Sequence, residues 1–271
     1  MSKVGIVQQS ASTDKAQNLA FAVDCIQEAK HKGADLVCFP EFLMAYSPAE
    51  QSSGELSRIA ESVEGEFTSV LRDAAKENKV EVVATIYERS GPSEKVYDTA
   101  LVIDRAGNLA TVYRKLHLYD ALGFRESDKL KPGEDLARPV KTAAGNVGLM
   151  ICYDVRFPEL SRILAVLGAE TLVVPSGWVR GDKKVEHWKT MMQARAIENG
   201  CYVVAPNQVG NVYTGHSLAV DPFGSVVADM DEREGLEVVE LDHNLLRTVR
   251  EKLPLLRHRR TDVYSKYLEK E

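Results

Sequence analysis

Twice along this chain a short apolar run gives way to a segment with helical spacing and then to a second apolar run. Residues 4–8 form the first run. Ala16, Leu19, Ala20, Val23, Ile26 and Ala29 then recur at helical spacing before Gly33, and residues 35–41 form the second run. The plan returns with residues 147–152, a helix over 158–168 that has Pro158 in its first turn and Gly168 past its last, and residues 170–175. Such β-α-β units commit the chain to parallel strands joined by crossovers. In open α/β sheets, ligands bind beyond the carboxyl ends of those strands, so the residues just after each run deserve the closest scrutiny.

Other segments read differently. Residues 56–78 are mostly helical with a break at Gly65, and residues 80–88 are a strand. Residues 96–104 and 109–113 flank Arg105-Ala-Gly107-Asn108, a hairpin turn in which Gly and Asn can take positive φ. Residues 115–139 are polar and irregular, and a loop this long within a domain is expected to be functional. A helix over 183–199 closed by Gly200 precedes a strand over 201–206. Strands at 215–220 and 225–229 then form a hairpin around Asp221-Pro-Phe-Gly224, with 236–241 completing a meander. A last helix covers 244–253, before Pro254. Each half mixes β-α-β units with hairpins, which suits two mixed sheets packed face to face with helices outside; the pattern equally permits one large sheet.

With 271 residues and nothing resembling a linker, one domain is expected over 1–271, with 255–271 as a C-terminal tail that docks on a neighbouring surface. The formal charge of -6 offers no basic footprint for nucleic acid. No apolar run approaches the roughly twenty residues that span a bilayer, and the first residues lack the apolar core of a signal peptide. A cytoplasmic protein without a membrane partner is expected. Cys25, Cys38, Cys152 and Cys201 are widely spaced in apolar or helical context, which points to free thiols.

Three positions follow apolar strands directly: Glu41 in Phe39-Pro-Glu41-Phe, Lys115 in Tyr113-Arg-Lys115-Leu-His, and Cys152 in Ile151-Cys152-Tyr-Asp-Val-Arg156. Alone, each has an ordinary explanation, because free cysteines are commonly buried and inert and most charged residues simply stay exposed. Together, and in this order, the segments resemble the Glu, Lys and Cys signatures of the nitrilase superfamily of carbon-nitrogen hydrolases. The similarity extends through Met192-Gln-Ala-Arg195-Ala-Ile-Glu198-Asn, Gly215-His-Ser217, Asp221-Pro-Phe-Gly224 and Arg259-Arg-Thr-Asp-Val-Tyr264. Within the family the ω-amidase and Nit-type amidase branches are the most similar, although the segment 42–48 departs from their pattern and the loop over 120–124 is shortened.

The resemblance implies a four-layer α-β-β-α sandwich, a homodimer, and a cysteine nucleophile acting on small aliphatic amides, more specifically ω-amides of dicarboxylates such as 2-oxoglutaramate or succinamate, with the tail at the dimer interface. A free thiol has a pKa of about 8.5 and gains from a base, the role implied for Glu41. A carboxylate is a poor base at neutral pH unless its surroundings change that, so the role requires Glu41 to be enclosed. Lys115 and the Tyr153 N–H would hold the oxyanion. The family also carries a second glutamate, matched by Glu126 in Phe124-Arg-Glu126-Ser, which would orient Lys115 and the substrate. Tyr46, Phe42, Arg156 and Trp178 are candidates for the substrate pocket. Arg156 would pair with a substrate carboxylate or with Glu159 or Asp154, and Trp178 would wall the pocket or pack in the core. His117 reads as a structural hydrogen-bonding residue more readily than as the base.

No metal or organic cofactor is required by this chemistry, and the six histidines show no metal-binding spacing. Nitrile hydrolysis and N-carbamoyl amine hydrolysis use the same three residues and stand as alternatives. A non-catalytic scaffold that retains the fold is the alternative from another class.

Overall fold

Side chains alternate between two cores along the central strands. Leu36 and Cys38 point into one apolar cluster while Val37 and Phe39 point into another, and Val83 faces the first while Val82 and Ala84 face the second. A strand buried on both faces has this near-continuous apolar sequence, and period-two alternation divides it between two layers. The computed structural model describes residues 1–91 and 93–268.

In chain order, β1 (Ser2–Gln8), α1 (Lys15–His31), β2 (Leu36–Cys38), α2 (Ser53–Ile59), α3 (Glu66–Asn78), β3 (Glu81–Arg89), β4 (Val96–Ile103) and β5 (Leu109–Arg114) make the first half. The second comprises β6 (Val140–Thr142), β7 (Gly145–Leu149), α4 (Pro158–Val166), β8 (Thr171–Val173), α5 (Lys184–Asn199), β9 (Tyr202–Ala205), β10 (Val209–Gly210), β11 (Tyr213–Thr214), β12 (Leu218–Val220) and β13 (Val226–Asp229). β14 (Gly235–Leu241), α6 (His243–Lys252) and α7 (Thr261–Leu268) follow. Two six-stranded sheets result, ordered β14-β1-β2-β3-β4-β5 and β13-β12-β9-β8-β7-β6, with β10 and β11 as a separate ribbon.

Both sheets are mixed. β1, β2 and β3 run parallel, as do β7, β8 and β9, and antiparallel pairs flank them. The cluster between the sheets joins Val4, Ile6 and Val83 of the first sheet to Val147, Leu172 and Val203 of the second, and reaches Trp188 and Met192 of α5. On the far side of the first sheet, α1 and α3 supply Ile26, Phe67 and Leu71. The order of layers is helix, sheet, sheet, helix, as expected from the resemblance.

Local chemistry accounts for the element boundaries. Asp14 caps α1 by accepting from Ala16 N at 2.8 Å, and Ser52 with Glu55 forms a capping box on α2. Between α2 and α3 the chain is non-helical over 60–65, and Gly65 is the N-cap of α3. In the β4–β5 hairpin only Gly107 of the expected pair takes positive φ, at 81°. A Cβ there would stand 2.8 Å from Arg72 O, so glycine is also required sterically.

One connection differs from the sequence expectation. β14 does not continue a meander on β13; it pairs antiparallel with β1 of the other sheet, from Ser2 opposite Leu241 to Gln8 opposite Gly235. The edge of β1 that β2 leaves open requires a partner, and β14 supplies its hydrogen bonds. The Cys152 strand is also shorter than expected: β7 ends at Leu149, and Cys152–Arg156 form a 3-10 turn. The ladder persists irregularly beyond Leu149, through Met150 N to Val173 O at 3.1 Å and Cys152 N to Pro175 O at 2.9 Å. Among the described residues no helix is long and apolar enough to cross a membrane.

Candidate active site

The ends of β2, β5, β7 and β8 meet at one cavity of about 580 Å³. Cys152, Glu126, Phe42, Tyr46, Arg156 and Trp178, all expected from the sequence, line it together with Tyr153. Glu41 and Lys115 lie behind this wall, and neither exposes any surface.

Glu41 follows β2 in a loop anchored from several sides. Thr85 Oγ1 donates to Pro40 O at 2.9 Å, and Gln208 Nε2 donates to Glu41 O at 2.8 Å. The Gly177 N–H donates to Glu41 Oε2 at 2.6 Å. Gly177 has to be glycine, because a Cβ would stand 2.7 Å from the Phe42 ring. Phe42 itself is held at φ 62°, a conformation rare for a bulky residue, and its ring stacks on Tyr87 at 5.9 Å.

Lys115 extends from the end of β5 and donates to Glu41 Oε1 at 2.7 Å and to Glu126 at 3.0 and 2.8 Å. Burial pulls its ammonium down, but the carboxylates of Glu126 and then Glu41 outweigh this and hold it well above its ordinary value. Glu126 opens a short 3-10 turn in the 115–139 loop and also accepts from Tyr119 N at 2.8 Å. Burial pushes its carboxyl upward against the pull of Lys115.

Cys152 sits at φ 44°, strained for a residue with a Cβ, at the first position of its turn. Burial, and then the Glu41 carboxylate, push its thiol well above the ordinary value, while Lys115 and the Gly177 N–H act in the opposite direction. Burial thus favours the neutral thiol at the cavity wall. The other three cysteines are also free and buried, but the cavity lining includes only Cys152.

Asp154 ties this turn to the Lys115 strand. It accepts from Tyr113 Oη at 2.7 Å, from Ile151 N at 2.9 Å and from His117 N at 3.0 Å, and His117 Nδ1 lies 2.7 Å from its Oδ1. His117 stacks on Phe157 with ring centroids 3.7 Å apart. It positions the Cys152 turn, in keeping with its structural expectation. Because Asp154 is so fully engaged it does not pair with Arg156, whose guanidinium lies over Trp178 at 4.7 Å.

Several participants were not singled out from the sequence. Asp98 of β4 is 1% exposed, and its Oδ2 has no hydrogen-bond partner. Burial and the adjacent Glu41 carboxylate push its carboxyl well above its ordinary value. Nothing in Val96-Tyr-Asp98-Thr distinguishes it from a strand residue facing solvent. Lys184, Tyr119 and Tyr213 also line the cavity. Away from the cavity, His216, Asp229 and Asp231 could converge on a cation, but Lys189 Nζ already neutralises Asp229 at 2.6 Å.

Residues 3–251 match the carbon-nitrogen hydrolase family model. The chain belongs to that family. A deaminated glutathione amidase of Escherichia coli O157:H7 is 38% identical to this carbon-nitrogen hydrolase family member over 245 residues, covering 90% of this chain and 92% of that protein. The nitrilase and fragile histidine triad fusion protein of Drosophila melanogaster is 36% identical over 273 residues; the match covers 97% of this chain and 58% of the fusion protein. The crystal structure of Saccharomyces cerevisiae Nit3, a member of branch 10 of the nitrilase superfamily, superposes with a TM-score of 0.84 at 32% identity, covering 96% of each chain.

Proposed function

We propose that this protein hydrolyses the C–N bond of small aliphatic amides, in the manner of an ω-amidase, through a thioester on Cys152. The observation that carries this reading is the buried Glu41–Lys115–Glu126 cluster directly behind the cavity that Cys152 lines. Glu41 takes the thiol proton as Sγ attacks the amide carbonyl. A C–S bond forms, and the carbonyl π pair moves to oxygen. Lys115 and the Tyr153 N–H stabilise that oxyanion; first-turn N–H groups lack intrahelical partners and are free for such a role. Collapse breaks the C–N bond, and the departing nitrogen takes the proton held by Glu41, with Glu126 orienting Lys115 and the substrate. Water then attacks the thioester, Glu41 accepts its proton, and the C–S bond breaks as the thiol is restored.

The amide is favoured over a nitrile or an N-carbamoyl amine because curated relatives are named amidases. A homodimer belongs to the same reading. Ile163, Val166 and Leu167, in or just after α4, together with Ile197 of α5, leave apolar side chains exposed, and α7 presents Tyr264. We assign the tail over 255–271 to that interface; its last residues, 269–271, lie outside the described residues. A cytoplasmic location suits four free cysteines.

Ammonia release from amides, nitriles and carbamoyl compounds measured side by side tests the reaction class, with amides expected to turn over fastest. Cys152→Ala should lower that rate by about 10⁴-fold or more, and intact-mass measurement should trap an acyl adduct only on the parent protein. Unchanged hydrolysis in Cys152→Ala would leave the scaffold alternative standing.

A further inference from the structure

Asp98 reaches the buried Glu41–Lys115–Glu126 cluster from a strand that supplies none of the three. It stands on β4 directly opposite Tyr87 of β3, and its backbone carbonyl accepts from Lys115 N, just past β5, at 2.9 Å. Its side chain shares a face of β4 with Ala100 and Val102, the face that the second sheet covers. There its carboxyl is in hydrogen-bonding contact with that of Glu41.

The donors around it are already committed. An ammonium has three N–H groups, and those of Lys115 go to Glu41 Oε1 at 2.7 Å and to the two Glu126 oxygens at 3.0 and 2.8 Å. The Gly177 N–H goes to Glu41 Oε2, and the Tyr119 N–H to Glu126 Oε2. The Tyr87 hydroxyl is buried without a hydrogen bond, and among the described residues none donates to Asp98 Oδ2. An ionised carboxylate closed off from water with no donor is very costly, and keeping the proton removes that cost. The charge count agrees, because the single positive charge of Lys115 already faces two carboxylates. Burial first, and then the Glu41 charge, raise the Asp98 carboxyl, with Glu126 acting in the same direction and Lys115 against it.

Two carboxyl groups in contact hydrogen-bond only when one of them carries a proton. Both oxygens of Glu41 accept from N–H donors, which marks Glu41 as the ionised partner and Asp98 as the acid. We infer that Asp98 is a protonated carboxylic acid in the resting protein and donates its O–H to Glu41, as a positioning residue for the group that takes the thiol proton. With Lys115 and the Gly177 N–H it is a third anchor on that carboxylate, and it brings no charge of its own. An ionised Asp98 would set a further negative charge against the thiolate and the oxyanion that form during attack. Asp98 keeps its proton throughout, while the thiol proton passes to Glu41 and on to the departing nitrogen. The positioning role rests on amide hydrolysis at Cys152; the protonation does not.

Infrared difference spectra between the parent and Asp98→Asn at pH 7 test the proton. The parent should show the carbonyl stretch of a protonated carboxylic acid, shifted in deuterium oxide, that the Asp98→Asn protein lacks. A difference spectrum that shows only a lost carboxylate band overturns the inference. With an amide substrate, Asp98→Ala should lower kcat by about tenfold or more while KM stays within about threefold of the parent, because the lost hydrogen bond acts on Glu41 and not on substrate binding. Asp98→Asn, whose NH₂ donates in place of the O–H, should recover most of that kcat. An Asp98→Asn protein as slow as Asp98→Ala, or a loss carried by KM, overturns the positioning role. A parent that hydrolyses no amide overturns the reaction assigned to Cys152 instead, and the infrared comparison then decides the protonation of Asp98 by itself.

Discussion

Lys115 and Lys184 stand at the same cavity and meet opposite fates. Lys115 is sealed behind the wall with two carboxylates against its ammonium, at 2.7 and 2.8 Å. Lys184 projects among aromatic rings beside another cation, with a tyrosine hydroxyl as its polar contact. Where buried charges answer one another, removing a member leaves the rest uncompensated. Where they do not, the protein holds like charges close together without a counter-charge. The first arrangement fixes its lysine in one place; the second leaves most of its lysine's donors unused.

The sharpest way to break this contrast is substitution at both lysines. Lys115→Met should destabilise the fold by about 3–5 kcal/mol in urea titration, because Glu41 and Glu126 would remain buried without their cation. Lys184→Met should leave stability within about 1 kcal/mol of the parent or raise it, since the charge it deletes is opposed by burial, by Arg156 and by the helix end. Similar losses from both substitutions would erase the distinction.

Asp98 refines the picture on the sealed side. Its carboxyl is raised well above the ordinary value in the folded protein. A raised group contributes its full stability below the unfolded pKa of about 3.9, and loses that contribution as the pH climbs toward the folded value. Asp98→Asn keeps the neutral shape without this dependence. Its melting temperature should exceed that of the parent by a few degrees at pH 7, with the advantage shrinking toward pH 4. An advantage that grows on acidification would mean that Asp98 is ionised and paired.

The sequence marked the sealed cluster far better than the open one. Glu41, Lys115 and Cys152 each stand at the end of an apolar run, where the strand-end rule places ligand-facing residues. The two-sheet architecture was present as the repeated β-α-β plan, although one larger sheet was equally allowed. Lys184 gave no comparable signal. In Asp182-Lys-Lys184-Val it resembles any solvated charge at the start of a helix, and its burial depends on Trp178 and Tyr119, which come from other segments. Asp98 is similar: it shares a face of β4 with Ala100 and Val102, and only the packing of the second sheet over that face buries it.

The sequence alone determined which residue types follow which strands, because hydrophobic periodicity and turn chemistry are local and can be read in a window of some ten residues. It therefore determined a cysteine, a lysine and a carboxylate at strand ends. Tertiary structure decided the rest: that β14 crosses to pair with β1, that Glu126 returns to Lys115 from an irregular loop, and that two cations share one indole. Those outcomes depend on long-range packing and on which charges are shut away from water, and neither is encoded in the spacing of neighbouring residues.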